Sequence, residues 1–270
     1  MYLQVNNAAI YCYTGGKSFD AAKPTVLLVH GVLNDHSVWI LQSRYLAHHG
    51  WNVLAVDMPG HCRSGGAPCT SVEEAADFVW ALLDAAGVQK AALVGHSLGS
   101  LIVLEAAARA PDRVSQLVLV GTAFPMAVAT TLLAASRNAS EKALQMVNVF
   151  SHSTLAPPPS ALGPGTWVYG ASLALGRHVL ASNAEVNLFH IGFVACDSYR
   201  NGEIAMEQVS CATLFVLGEQ DQMTPPKAAK GLMAKARNAR VVMLPGGHHQ
   251  MLETPEPMLQ ALTGFLDTCL

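Results

Sequence analysis

AALVGHSLGS, residues 91–100, joins a short apolar run to a helical pattern that continues to residue 110. AALV is typical of a buried strand, and SLIVLEAAARA carries apolar residues at helical spacing. Between them stands G-x-S-x-G, with Ser97 at its centre. The motif alone also fits a plain Gly-Ser turn. A sharp turn from strand to helix, however, would lift Ser97 above a sheet as a nucleophile, and this context favours that interpretation.

On both sides of this turn, apolar runs that are typical of strands alternate with helical patterns. The runs cover residues 25–31, 52–57, 116–121, 212–218 and 239–246, and the helical patterns cover 38–49, 71–86, 98–109, 226–236 and 256–266. This alternation predicts an α/β fold, a mostly parallel sheet of about eight strands flanked by helices. Residues 2–13 are expected to add an antiparallel hairpin at one edge.

The alternation stops between residues 124 and 199, where helical apolar patterns continue without a convincing strand. Prolines at 157–159 and Gly-Pro-Gly at 163–165 interrupt this stretch. A structureless loop of such length is improbable in a compact domain. We therefore predict a helical cap at 124–199, inserted into an α/β core formed by 1–123 and 200–270.

Two further segments follow predicted strands and carry groups that could activate a serine. GEQDQMTPP contains Asp221, and LPGGHHQMLETPEP contains His248. Parallel strands bring their carboxyl ends to one edge of the sheet, so Ser97, Asp221 and His248 are expected to converge there. Glu219 is an alternative acid, and His249 is an alternative histidine.

An oxyanion that forms during attack on a carbonyl needs backbone N–H donors nearby. The N-terminus of the helix that begins at Leu98 would offer one N–H together with the positive end of the helix dipole. The loop after His30-Gly31, at the end of another predicted strand, would offer the N–H of Val32.

Together these segments resemble the α/β-hydrolase superfamily over nearly the whole chain. HGVLNDHSVW resembles its HG-x loop, DMPGHCRS its D-x-P-G-x-G-x-S segment and GHSLG its nucleophile elbow, while GEQDQMTP and GGHHQMLETPE match its acid and histidine segments. Cys62 stands where the family usually has glycine. The family's G-H-x4-E pattern, matched by Gly247, His248 and Glu253, favours His248 over His249.

The resemblance implies a carboxylesterase-like serine hydrolase that cleaves an ester, thioester, lactone or activated C–C bond without a cofactor. Ser97 would attack, His248 would carry the proton and Asp221 would orient the imidazole. The alternatives are a receptor-like protein that binds a small molecule and keeps the triad, and an acyltransferase or perhydrolase of the same fold. Pocket residues are guesses from the pattern: Trp39, His96, Phe124, Trp167 and Phe189.

Composition excludes several other classes of function. Apolar residues make up 51% of the chain and the formal net charge is −3, without a basic run, so nucleic acid is a poor partner. We see no signal segment at the start and no apolar run of about 20 residues, so no membrane partner is expected. The histidines and six scattered cysteines lack metal spacing.

These features favour a cytoplasmic enzyme without metal or cofactor that acts on a small molecule. A small apolar or aromatic substrate is expected, since an apolar pocket disfavours an unpaired charge. Lys142, Arg137, Arg177 and Arg200, all in or next to the predicted cap, are the candidates for binding a carboxylate instead. The sequence leaves open whether the protein is a monomer or a homodimer.

Overall fold

The computed structural model describes residues 1–20, 22–153 and 167–267, and within them one eight-stranded sheet. Its strand order is β1-β2-β4-β3-β5-β6-β7-β8. The strands are β1 (Tyr2–Val5), β2 (Ala8–Tyr13), β3 (Thr25–Val29), β4 (Asn52–Val56), β5 (Ala91–His96), β6 (Val114–Val120), β7 (Ala212–Gly218) and β8 (Ala239–Leu244). Only the pairings of β2 with β1 and β4 are antiparallel. The predicted fold class and edge hairpin are confirmed.

Helices follow the strands as the alternating pattern predicts, with additions after β6. They are α1 (Ile40–His48), α2 (Val72–Ala85), α3 (Leu98–Arg109), α4 (Thr130–Asn138), α5 (Ser140–Ser151), α6 (Val168–Ser182), α7 (Leu188–Ser198), α8 (Gly202–Gln208), α9 (Lys230–Lys235), α10 (Gln250–Glu253) and α11 (Pro255–Leu266). Within the described ranges, no helix has the length and apolar content needed to cross a membrane.

The core lies on both faces of the sheet. Along β3, Leu27 belongs to an apolar cluster on one face, whereas Val26 and Leu28 belong to a cluster on the other. Successive side chains of a strand point to opposite faces, so a strand with apolar clusters on both sides reads as a continuous apolar run. Helices α2, α3 and α8 contribute to the first cluster, and α1 and α11 contribute to the second.

Helices α4–α7 leave the alternating pattern and form a helical insertion between β6 and α8. They share a third apolar cluster, which includes Leu132, Leu144, Val179 and Phe189 and also takes in Leu33 from the loop after β3. The predicted interruptions at 157–159 and 163–165 lie outside the described residues. The limits 124–199 for a separate cap domain stay a prediction, and these helices fall inside them.

At the end of β4, the carboxylate of Asp57 is fully buried and organises two loops. Its Oδ1 accepts hydrogen bonds from the backbone N–H of His36 (2.9 Å) and from the ring of His36 (2.7 Å), while Oδ2 accepts from the N–H of Arg63 (3.2 Å). Burial raises the pKa of Asp57, but the hydrogen bonds and charge of His36 outweigh it and leave that pKa below its usual value.

We expect Asp57→Asn to lower the free energy of unfolding at pH 7 by about 2 to 4 kcal/mol, measured by urea denaturation. The asparagine amide has one accepting oxygen where the carboxylate has two, so one of the buried N–H donors loses its acceptor. Since the pKa of Asp57 is lowered in the folded state, its contribution is complete at pH 7 and is lost as pH falls below about 4.

The difference in the free energy of unfolding between the wild type and Asp57→Asn should therefore become smaller in acid. The control is Asp84→Asn, which removes the exposed ion pair with Arg113 and should cost less than about 1 kcal/mol. Equal losses for the two variants would contradict the organising role of Asp57.

Candidate active site

Ser97 lies in the tight turn between β5 and α3, with φ 54° and ψ −121°. Such a conformation is rare for a residue other than glycine and is typical of strained functional turns. The close approach of the chain on both sides requires the two motif glycines. A Cβ at Gly95 would overlap the carbonyl of Gly99, and a Cβ at Gly99 would overlap the carbonyl of Val29. The backbone N–H of Ser97 donates to the carbonyl of Val120 (2.9 Å).

Asp221 and His248 follow β7 and β8, and the structure brings them into contact. Nδ1 of His248 lies 2.8 Å from Oδ2 of Asp221, with both side chains buried. The other oxygen, Oδ1, accepts from the backbone N–H groups of Met223 (2.9 Å) and Thr224 (2.8 Å). Burial raises the pKa of Asp221, but the charge and hydrogen bond of His248 and the bonds from Thr224 hold it below its usual value. Asp221 is therefore an anion at neutral pH.

The two rival residues have different surroundings from Asp221 and His248. Glu219 is exposed at the end of β7. His249 is buried and stacks on His152, with ring centroids 5.2 Å apart. Burial and the neighbouring histidines hold the pKa of His249 well below its usual value. Ser97 and His248 line two cavities together, whereas His249 lines only one of these two.

The backbone of His248 is held on two sides. Its N–H donates to the carbonyl of Ser151, the last residue of α5 (2.7 Å). Its carbonyl lies 2.9 Å from Nε2 of His96. Burial, aided by the charge of His248, lowers the pKa of His96 to about 3, so this imidazole is neutral and its Nε2–H donates to the carbonyl.

Glu253 ties the histidine loop to the helical insertion. Its Oε1 accepts from the N–H of Gly247 (3.1 Å), and its Oε2 accepts from the N–H of Ser153 (2.9 Å). The sequence singled out Glu253 only as part of a resemblance. Its link to the end of α5 joins residues a hundred positions apart, and no local pattern signals it.

The backbone groups expected to form an oxyanion hole lie next to Ser97. Leu98 is the first residue of α3. The loop after β3 runs so close to the turn that a Cβ on Gly31 would lie 3.0 Å from Cβ of Ser97. Val32 follows in this loop and, like Leu98, lines a small cavity at its edge. The assignment of both N–H groups to an oxyanion hole stays a prediction.

Two cavities border Ser97 and His248. The open cavity, of about 420 Å³, has mostly apolar walls, including Met126, Val128, Leu132, Met146, Phe150 and Met223. The smaller cavity, of about 40 Å³, has apolar walls as well but also takes polar side chains that include Asn34, Asn148, Ser172 and His249, and we call it the polar cavity. The first has the size of a small-molecule site, and the second has room for at least one water molecule.

Of the predicted pocket residues, His96 and Phe189 line the polar cavity, and the other three are absent from the described walls of both cavities. Trp39 is completely buried in the apolar cluster with α1 and α11. Phe124 packs edge-on against Tyr199 and against Gly202 of α8. Trp167 is 56% exposed and stacks on Tyr169. Apolar character alone does not distinguish a pocket wall from a core, and Trp39 and Phe124 pack against the core clusters. The assignment of Trp167 to a pocket stays a prediction.

The positive charges considered for binding a carboxylate are also away from these cavities: Lys142, Arg137, Arg177 and Arg200 are absent from the described walls. Arg177 forms an exposed pair with Glu141. Among the described residues, both groups with a spacing suited to a metal ion contain Asp35, and neither contains Ser97 or His248.

Comparison with known proteins agrees with this fold. Residues 24–255 match the model of the alpha/beta hydrolase fold family. The chain is 30% identical over 251 residues to the dihydrolipoyllysine-residue acetyltransferase component of an acetoin cleaving system from Pseudomonas putida, an alignment that covers 89% of this chain and 63% of that protein. The chain thus spans somewhat less than two thirds of that relative.

A second relative matches over most of both chains. The pimeloyl-(acyl-carrier protein) methyl ester esterase of Neisseria meningitidis serogroup C is 29% identical over 246 residues, 86% of this chain and 89% of the relative. Among solved structures, an esterase from Exiguobacterium antarcticum superposes with a TM-score of 0.82 at 16% identity, over 98% of each chain. The protein belongs to the alpha/beta hydrolase family.

Proposed function

We propose that the protein is a serine hydrolase that cleaves a small ester or a related activated carbonyl compound. The observation that carries this proposal is the 2.8 Å contact between His248 and Asp221, beside a cavity that both His248 and Ser97 line. A half-buried serine followed along the chain by a buried carboxylate and a buried imidazole provides the parts that serine catalysis needs. The esterase named among the relatives supports the same class of reaction.

In the proposed reaction, Oγ of Ser97 bonds to the carbonyl carbon while its proton passes to Nε2 of His248. The N–H groups of Leu98 and Val32 would stabilise the negative oxygen. As the intermediate collapses, the bond to the leaving group breaks and His248 returns the proton to it. Water then repeats these steps on the acyl-enzyme, so that ester and water give acid and alcohol.

The walls of the open cavity favour an apolar acyl or aromatic group. Met126, Met146 and Met223 supply adaptable thioether side chains, and Phe150 adds an aromatic wall. Burying a charged acyl group against such walls without a partner would be costly. The small polar cavity is the place we assign to the water used in the second half of the reaction.

A series of p-nitrophenyl esters tests this proposal. We expect kcat/KM to rise about tenfold from acetate to butyrate, because each buried methylene contributes about 0.8 kcal/mol. Phe150→Ala should lower kcat/KM for butyrate several-fold and leave kcat/KM for acetate nearly unchanged. The matched control is Val149→Ala, since Val149 is similarly exposed on α5 but is not part of the cavity wall.

The outcomes separate the alternatives. No preference for butyrate, or equal effects of the two variants, would contradict the assigned acyl cavity. Absence of turnover on every ester, with tight binding of a small molecule, would favour a receptor-like role. Faster release of p-nitrophenol in the presence of an added alcohol, with an ester as product, would favour acyl transfer.

A further inference from the structure

Asp35, Cys62 and His178 lie together, on the loop after β3, the loop after β4 and helix α6, respectively. One ligand atom from each lies within 4.8 Å of the others. Sulfur, imidazole nitrogen and carboxylate oxygen are the three donor types that Zn²⁺ takes in proteins. Asp35 is buried, Cys62 is half-buried and His178 is exposed, so the group is reachable from solvent on one side.

Hydrogen bonds between α6 and the loop after β4 fix this juxtaposition. The N–H of Cys62 donates to Oγ of Ser182 (3.1 Å), and Nδ2 of Asn183 donates to the carbonyl of Gly60 (3.2 Å). His178 stands four residues before Ser182, on the same face of the helix. The helix is therefore docked in the register that brings the imidazole over the thiol.

The negative charge of neighbouring carboxylates favours a cation at this group. Asp35 also belongs to a second group with His36 and the buried Asp57, so two carboxylates stand close to one another. Oδ1 of Asp35 accepts the N–H of Ser37 (2.8 Å), which orients the carboxylate and leaves Oδ2 for another partner. Sγ of Cys62 lies within 4.8 Å of a carboxylate oxygen of Asp35. Cys62 also holds φ 46°, a conformation that favours glycine.

We propose that Asp35, Cys62 and His178 bind one Zn²⁺ ion, with water as the fourth ligand, and that this ion fastens α6 of the helical insertion to the α/β core. On binding, the thiol gives its proton to solvent and a Zn–S bond forms. Bonds of about 2.0 to 2.3 Å to a central ion require a small contraction of the group, which the exposed imidazole of His178 can supply by rotation.

The ion would act on the cavities through sequence neighbours of its ligands. Asn34 precedes Asp35 and lines the polar cavity, and His61 precedes Cys62 and lines the small cavity beside Val32. Fastening these loops to α6 would restrain the walls on both sides of Val32. This inference does not depend on the proposed hydrolase reaction, because zinc binding is measured without an activity assay.

The test is a titration of the chelator-treated full chain with zinc chloride, monitored by calorimetry. We expect one ion per chain, and we expect His178→Ala to weaken binding by more than about tenfold, since even the loss of an outer partner costs roughly 10- to 100-fold. Alanine at this exposed helical position preserves the fold. His48→Ala, another exposed histidine on a helix, should leave the affinity unchanged.

Cobalt supplies a spectroscopic check on the sulfur ligand. Co²⁺ bound to the wild type should give a thiolate charge-transfer band in the near ultraviolet, and Cys62→Ser should abolish it. Failure to bind zinc would overturn the proposal. Equal zinc affinity in the wild type and His178→Ala would also overturn it, because the ion would then lie elsewhere, for example among the histidines around His248.

Discussion

Replacing Ser97 with alanine is expected to lower kcat for p-nitrophenyl butyrate by about 10⁴-fold or more, with little change in KM. The variant keeps the cavity walls and the backbone N–H of Leu98, so it should still bind the ester. It lacks only the oxygen that forms the acyl bond. Alanine is no larger than serine, so the strained turn at φ 54° is preserved.

The control is Ser198→Ala at the end of α7, where the hydroxyl contacts a backbone carbonyl of its own helix. Its kcat should equal that of the wild type within about twofold, and both variants should show the wild-type thermal unfolding curve. A Ser97→Ala enzyme that retains more than a hundredth of the activity would contradict the proposed nucleophile.

We expect Asp221→Asn to lower kcat by about 10⁴-fold, the size that the wrong imidazole tautomer causes in serine proteases. Two neighbouring backbone N–H groups determine the orientation of the new amide. The N–H groups of Met223 and Thr224 both donate to the position of Oδ1, so the amide oxygen must occupy it. The NH₂ group then faces Nδ1 of His248, which becomes an acceptor. The proton moves to Nε2, and His248 can no longer take one from Ser97.

Glu219→Gln is the matched control, since Glu219 is the rival carboxylate in the same segment and is exposed. It should retain full activity. If Glu219→Gln were the damaging variant and Asp221→Asn were active, the acid would be misassigned. Activity of Asp221→Asn near the wild-type level would show that His248 does not depend on this carboxylate for its tautomer.

The fold was predictable from sequence because its signals are local. A strand buried on both faces, such as β5, reads as an unbroken apolar run, and the bounds of α3 match the pattern at both ends. Helix α8 was missed. It has seven residues and begins with glycine, so its apolar contacts with the core are visible only once the chain is folded.

Only part of the candidate site was predictable from the sequence. Asp221 and His248 follow strands of one parallel sheet, so topology alone brings them to the same edge. No sequence pattern marks Thr224 or Ser151, although Oγ1 of Thr224 lies 2.8 Å from Oδ2 of Asp221 and the carbonyl of Ser151 accepts from the N–H of His248. The contact of Ser151 depends on how the insertion docks. Trp39 was misjudged because a tryptophan in a core and one in a pocket look alike in sequence.

The most direct test of Ser97 as the nucleophile is to treat the wild-type protein with a fluorophosphonate and to map the adduct by mass spectrometry. We expect one adduct per chain, on Ser97, formed together with loss of ester hydrolysis and absent from Ser97→Ala. An adduct on another residue, or undiminished hydrolysis by a protein fully labelled at Ser97, would contradict this assignment.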